Sequence, residues 1–412
     1  MFWFAQMISL AGSWMQTTGQ SWLVLQLTNS PLKLSLVSTV QWTPVLFLTL
    51  YAGVVADRLP KRRILVVTQA ALAFLAFVLG LLTLTGRVRY WHVLVTATLS
   101  GIVQAFDMPT RQAFVVEMTS REDLLNAIAL NSSIFNLARV VGPSLAGLVI
   151  KLTGTGWAFV FNGLSFLPVV WAFAVMDVPD RVRPKQRGAW EEVRTGLAYI
   201  RSTRIVLGTM VLLGVISTVA LNFNILIPTL AKMVLHGDSS QFGFLLSAMG
   251  AGALFGSTLL ATFGGRGPQL KTIIGGAVLL GVSEASLAFV RGFYPSAVIL
   301  FISGAAMVTF TASSNTTIQV TAPDELRGRV MSVYALVFAG VTPIGAFLTG
   351  ILAEGFGTSA TFGIAGGVAA LTTLVMVVFR QLPSPREIAE SGSMSDKPSP
   401  AGQTEPGAKG EG

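Results

Sequence analysis

"SIFNLARVVGPSLAGLVI", residues 133 to 150, is long and apolar enough to cross a bilayer, yet it carries Asn136, Arg139 and Pro143 at helical spacing. In hydrocarbon a charge and a missing backbone donor are both penalised, so such a helix must turn that side toward protein or water. Asn136 to Arg139 is i to i+3 and Arg139 to Pro143 is i to i+4, which with Ser132 makes one polar stripe. A lipid-facing arginine at the bilayer centre costs roughly 2.5–3.5 kcal/mol even on the gentler insertion scale. Arg139 is therefore expected to face a central cavity or a buried partner. Ala138, Gly142 and Ala146 form a neighbouring stripe of small residues that lets another helix approach closely, and Pro143 frees a carbonyl and introduces a kink. A tight, bent helix contact would explain Gly142 and Pro143 equally well.

The rest of the chain is built of similar runs. Hydrophobic residues make up 52% of the 412 and charged residues 11%, where soluble domains carry about a quarter charged residues. A bilayer core of roughly 30 Å takes about 20 residues per helix. Twelve such runs occur: 5–27, 34–56, 64–84, 91–108, 127–150 and 157–176, then 205–230, 241–263, 271–290, 296–319, 329–352 and 359–380. The expected fold is an all-α polytopic membrane protein of twelve transmembrane helices in two six-helix halves. Residues 1–176 form the first half and 205–380 the second, joined by a basic linker at 177–204. In that linker an amphipathic helix is expected from about Trp190 to Arg201, lying on the membrane surface. The segment 381–412, rich in Pro, Ser, Gly and charge, reads as a disordered tail.

A net charge of +9 could suggest a nucleic-acid partner, but the cations mark topology instead. Alternate loops hold Arg58, Lys61, Arg62 and Arg63, then Arg111 and Arg121, then a dense run from Arg181 to Arg204, then Arg266, Lys271, Arg327 and Arg329. The opposite loops hold only Lys33, Arg87, Arg89, Lys151, Lys232 and Arg291. By the positive-inside rule the richer side is cytoplasmic, which places both termini in the cytosol and the chain in the inner (plasma) membrane as a multi-pass protein. The first run has no charged n-region or cleavage site, so it reads as a span and not a signal peptide. Met1 stands almost at its head, as it would if a short cytoplasmic leader were missing.

Much chemistry is excluded. Zero cysteines removes disulfides, thiolate metal sites and cysteine nucleophiles. His92 and His236 sit at loop edges without a carboxylate or second histidine at ligand spacing, so no metal site is expected. No phosphate-binding or nucleophile-elbow motif stands in a strand-turn-helix context. No cofactor is implied, and an enzyme is the poorest fit.

Two segments suggest an internal duplication: "VEMTSREDLLNAIAL" (116–130) lines up with "IQVTAPDELRGRVMS" (318–332), each an acid-rich loop entering an apolar helix. Their weak identity carries less weight than six spans on either side of the basic interval. Between spans 2 and 3 stands "GVVADRLPKRR", in which Gly53, Asp57, Arg58, Lys61 and Arg62 resemble the loop signature of the major facilitator superfamily of secondary transporters. Pro60 departs from it, standing where a second glycine is common. The stretch 106–147 is similar to the enterobactin-exporter-like and macrolide-efflux-like branch, in which a D-x-P-x-R loop leads to an N-A-x-x-L-N-x-x-x-x-N-x-A-R-x-x-G-P helix. Asp107, Pro109, Arg111, Asn126, Asn131, Asn136, Arg139, Gly142, Pro143 and Gly147 fit it. The "GSWMQ" of span 1 also looks like that branch, and the resemblance covers essentially residues 1–380.

This resemblance implies a secondary transporter working by alternating access. It also implies export, because the G-P-x-x-x-G of span 5 resembles the antiporter signature of drug exporters. The loop residues Gly53, Asp57, Arg58 and Arg62, with Asp107, Arg111, Gly142, Pro143 and Gly147, are the expected gating elements. Gln16 and Gln20, Gln41, Asn136 and Arg139, Asn162, Asn222, and Asn315 and Gln319 are the candidate walls of a substrate cavity. With Trp14, Trp22, Trp42 and nearby phenylalanines they suit a lipophilic or aromatic solute of drug or siderophore type. Any one of them alone could be an interhelical hydrogen bond. Glu284 is the carboxylate well inside a span and so the candidate for proton coupling, although an ion pair with another helix would look the same. Span 1 has no acid, and span 4 lacks the membrane-embedded arginine of typical drug:proton antiporters. The expected partners are a small-molecule substrate, protons and the lipid bilayer, with no nucleic acid, and the expected state is a monomer; a non-transporting sensor or scaffold is the alternative.

Overall fold

A computed structural model describes residues 2–119, 123–176, 189–263 and 269–378. The described residues are helical apart from their turns. The first six helices are α1 (Phe2–Thr28), α2 (Pro31–Arg58), α3 (Lys61–Leu84), α4 (Tyr90–Met118), α5 (Leu124–Thr153) and α6 (Thr155–Val175). A short helix, α7 (Ala189–Ser202), precedes α8 (Arg204–Val219) and α9 (Phe223–Thr229), the latter continued by a π-helical turn at Leu230–Val234. Then come α10 (Ser239–Phe263), α11 (Leu270–Ser286), α12 (Phe293–Thr321), α13 (Asp324–Gly340), α14 (Thr342–Phe356) and α15 (Thr358–Val378). With α8 and α9 as one broken span, and α13 and α14 as another, the chain crosses twelve times. Eight of these spans are long and apolar enough on those grounds alone.

Local chemistry sets the breaks. Ser30 caps α2, accepting from the Lys33 N–H, and Pro31 opens the helix where no donor is needed. Gly154, at φ 94°, separates α5 from α6 in a conformation that a side chain would strain. Pro343 near the start of α14 forces the interruption at Val341.

The expected end of span 4 at residue 108 is too early, because α4 continues through Pro109 to Met118. Charge near Asp107 ended the apolar run, but protein partners satisfy that charge and the helix need not stop. The amphipathic α7 is present; its Tyr199 hydroxyl donates to the Thr321 carbonyl at 2.9 Å, and its Gly196 lies against the Arg329 carbonyl at the start of α13. Residues 177–188 of the expected linker, and the expected tail 381–412, lie outside the described residues.

Each half packs within itself: α1 on α5 and α6, α2 on α4, and α3 on α4 and α6; then α10 on α12, and α11 on α12 and α15. The halves meet along two seams, α5 with α10 and α2 with α14. Both seams run from mid-span to the face where α1 ends and α2 begins, here the far face. The opposite, basic face carries Arg58, Lys61, Arg62, Arg204, Lys271 and Arg327.

Candidate functional site

The seams use glycine to bring backbones together. A Cβ on Gly147 would stand 2.5 Å from the Ser239 carbonyl, and one on Gly243 would stand 2.3 Å from the Pro143 carbonyl. Gly142 faces α1 instead, where a Cβ would meet the Trp14 side chain at 2.5 Å. Pro143 has no N–H to offer the Arg139 carbonyl one turn back, and that carbonyl lies against Gly250 of α10. Ser144 donates to the Ser247 hydroxyl at 2.7 Å, and Ser247 donates to the Val140 carbonyl at 2.5 Å. Pro143 and Gly147 of span 5 therefore sit where the two halves touch, while Gly142, expected as a gating residue, packs within the first half.

Polar contacts close the far end. Glu354 of α14 accepts from the Ser30 hydroxyl at 2.7 Å and from the Leu32 N–H at 3.1 Å, which sets a carboxylate on the N-terminus of α2. Lys151 pairs with Asp238 at 2.9 Å. The Gln241 N–H and the Lys151 ammonium hold the Asp238 carboxyl below its ordinary range. The Lys232 ammonium donates to the Leu25 carbonyl, and Trp22 stacks on Phe242 with ring centroids 5.7 Å apart.

Beneath this closure lies a cavity of about 480 Å³, walled mainly by α1, α2, α4, α5 and α6. Gln16, Gln20, Gln41 and Asn162 all line it. Asn162 donates to Gln16 at 2.7 Å, and Gln20 lies 3.4 Å from Gln41. Trp14, Trp42, Phe135 and Phe166 supply aromatic faces. The remaining wall candidates fall outside the lining. Asn136 donates to the Ser132 carbonyl of its own helix, Asn222 stands at the N-cap position of α9 with its amide donating to the Thr218 carbonyl, and Gln319 bonds Asn315 one turn away. Arg139 is half-buried beside the α5–α10 seam, with its Nη2 buried and without a partner among the described residues.

Asp107 and Arg111, read from sequence as gating residues, line the cavity. The Asp107 carboxylate accepts from the Thr68 hydroxyl at 2.7 Å and the Gln69 amide at 2.8 Å through Oδ1, and from Arg111 Nε at 3.0 Å through Oδ2. Arg62 donates to the Phe173 and Ala174 carbonyls at the end of α6, satisfying groups that a helix C-terminus leaves open. Lys61 pairs with Glu117 at 3.0 Å in a buried contact between α3 and α4. Gly53 has open space around it, Arg58 is exposed, and the Asp57 side chain lies outside the described residues.

Glu284 is fully buried in α11, which packs on α12 and α15, and neither carboxylate oxygen has a hydrogen-bond partner among the described residues. It does not line the cavity.

The sequence reading missed Gln6, Gln104, Gln112 and Asn224 as lining residues. For α4 a signal was available: Ser100, Gln104, Asp107 and Arg111 recur at spacings of four, three and four, the period of one helix face.

Twelve crossings in two halves joined by two seams, with a cavity of polar and aromatic side chains in the first half, are the architecture of a membrane transporter. The transmembrane secretion effector family matches residues 1–404, and the chain belongs to it, within the major facilitator superfamily. A multidrug efflux pump, Tap, of Mycolicibacterium fortuitum is 29% identical over 398 residues, covering 93% of this chain and 95% of the pump. The staphyloferrin A transporter of Staphylococcus aureus is 24% identical, covering 89% of this chain and 92% of its own length. Macrolide efflux protein A of Streptococcus pyogenes is 20% identical, covering 92% and 95%. Among solved structures, a bacterial homologue of the iron transporter ferroportin superposes with a TM-score of 0.73 at 14% identity, over 93% of this chain and 98% of that one. The protein is a transporter and not an enzyme.

Proposed function

We propose that the chain exports small amphipathic molecules of drug or siderophore type, driven by protons, with the basic face in the cytosol of the cell that carries it in its plasma membrane. The observation that carries the reading is the cavity itself. Glutamine and asparagine alternate there with tryptophan and phenylalanine, and seams at the far face seal it. Such a wall offers both stacking area and hydrogen bonds to a lipophilic solute. It reaches Gln6 and Gln112, within about two helical turns of the basic ends of α1 and α4. A substrate would load from the basic side, and the seams would part to release it on the far side. Residues 1–176 and 205–380 are then the two moving bodies, joined through 177–204, in a monomer with both termini in the cytosol.

Efflux and siderophore transport by the family relatives support the substrate class. Glu284 is the proposed proton carrier, because a carboxyl enclosed without donors is least costly as the neutral acid. The test is uptake of a fluorescent amphiphile into proteoliposomes under an imposed pH difference. Wild type is expected to concentrate it, and Glu284→Gln to equilibrate it without concentrating it. Accumulation by Glu284→Gln equal to wild type would remove Glu284 from the coupling role.

A further inference from the structure

Asp107 is the carboxylate of the cavity wall, and its two oxygens are held differently. Oδ1 is fixed by two neutral donors, Thr68 and Gln69, from α3. Oδ2 is held by Arg111, one turn along the same helix. The arginine is the more exposed partner, its side chain 19% accessible against 5% for the aspartate. Because the Gln69 amide must turn its NH2 toward the carboxylate, its Oε1 is left as a buried acceptor without a partner among the described residues. Gln6, on the cavity wall, carries a second buried Oε1 in the same condition. A buried acceptor left unmade is costly, and the cavity wall holds one at Gln6 besides a carboxylate whose charged partner is the more exposed Arg111.

We propose that this corner binds the protonated amine of a substrate: an ammonium group takes Asp107 Oδ2 in place of Arg111. Arg111 is then a tethered stand-in cation that keeps the aspartate paired while the cavity is empty. The aromatic wall receives the lipophilic body, so the favoured substrate is an amphiphile with one aliphatic ammonium group. The assignment rests on the export reading above and deepens it.

The test compares dansylcadaverine, a naphthalene sulfonamide with a primary ammonium group, with its neutral N-acetyl derivative. Binding to the purified full chain in lipid nanodiscs is read by fluorescence anisotropy, and transport is read in proteoliposomes. Wild type is expected to bind the amine about tenfold or more tighter than the acetylated probe, as a charge-assisted hydrogen bond would give. Asp107→Asn, which keeps an acceptor for Thr68 and Gln69, should abolish that preference. Arg111→Gln should increase it, because the competing cation is gone. The preference is a ratio within each variant, so partial loss of folded protein affects both probes alike. A preference that survives Asp107→Asn, or one that falls in Arg111→Gln, overturns the assignment. Transport of both probes with equal affinity would overturn it while leaving the export reading standing; binding of neither would overturn both.

Discussion

Asp107 in the first half and Glu284 in the second are both buried carboxylates inside helical spans, and their surroundings are opposite. Asp107 accepts from three side chains at the edge of an open cavity. Glu284 is fully buried, with neither oxygen bonded among the described residues. The first carboxylate is held by donors from α3 and α4, whereas the second is offered none among the described residues. The amino acids are near-equivalents; the neighbours from α3 and α4 on one side, and from α12 and α15 on the other, make the difference.

The largest expected effect comes from removing the partnered carboxylate. Asp107→Ala leaves Thr68, Gln69 and Arg111 without their acceptor, and the loss of a buried ionic partner typically costs about 3–5 kcal/mol. A thermal midpoint in detergent unchanged from wild type would dissolve the contrast. Glu284→Met should do the reverse: nothing is left unpaired, so stability should stay within about 1 kcal/mol of wild type or rise. Collapse of that variant would reveal partners that the structure does not display.

The seam between the two regions sharpens the comparison next. Gly243→Ala puts a methyl against the Pro143 carbonyl, and overpacking of this kind costs about 1–3 kcal/mol in the closed arrangement. The far face should open more often, and the reactivity of a cysteine placed at Ser239 toward an impermeant maleimide should rise several-fold. The chain has no native cysteine to confuse the reading. The smallest effect belongs to the exposed Lys151–Asp238 pair. Its carboxyl is held below the ordinary value of about 3.9, so its contribution is complete above that pH and is lost only as pH falls through the lower folded value. Stability from this pair should therefore be flat from pH 8 to 5, and Asp238→Asn should change it by less than about 1 kcal/mol. A slope across that interval absent from Asp238→Asn would contradict the assignment.

What the sequence reveals and what it hides follow from periodicity. Twelve spans, a basic face and the amphipathic α7 are all written in runs or charges local in the chain, and the fold shows them. Gln16, Gln20, Gln41 and Asn162 could be anticipated because a polar amide in an apolar helix must turn inward. Sequence does not say which inward surface it meets. Asn136 and Asn222 bond their own helices, and Arg139 rests beside a seam, although all share the pattern of residues that reach the cavity. By sequence Asp107 stands at the end of span 4 and Arg111 beyond it, because charge ends the apolar run. Their mutual pairing lets the helix carry that charge onward, and pairing is a three-dimensional fact.

The glycine seams have a consequence for speed. Side chains that interdigitate must change rotamer or lift over one another before two surfaces can separate, whereas at Gly147, Gly243 and Gly250 much of the contact is backbone against backbone. Surfaces of that kind part with few torsional barriers to cross, and in a bilayer lipid can cover the exposed groove without a hydrophobic penalty. The activation barrier to rocking would then lie chiefly in the few polar ties at Glu354, Lys151 and Lys232. Turnover in this protein should accordingly respond more to ionic strength at the far face than to the bulk of the apolar side chains along the seams.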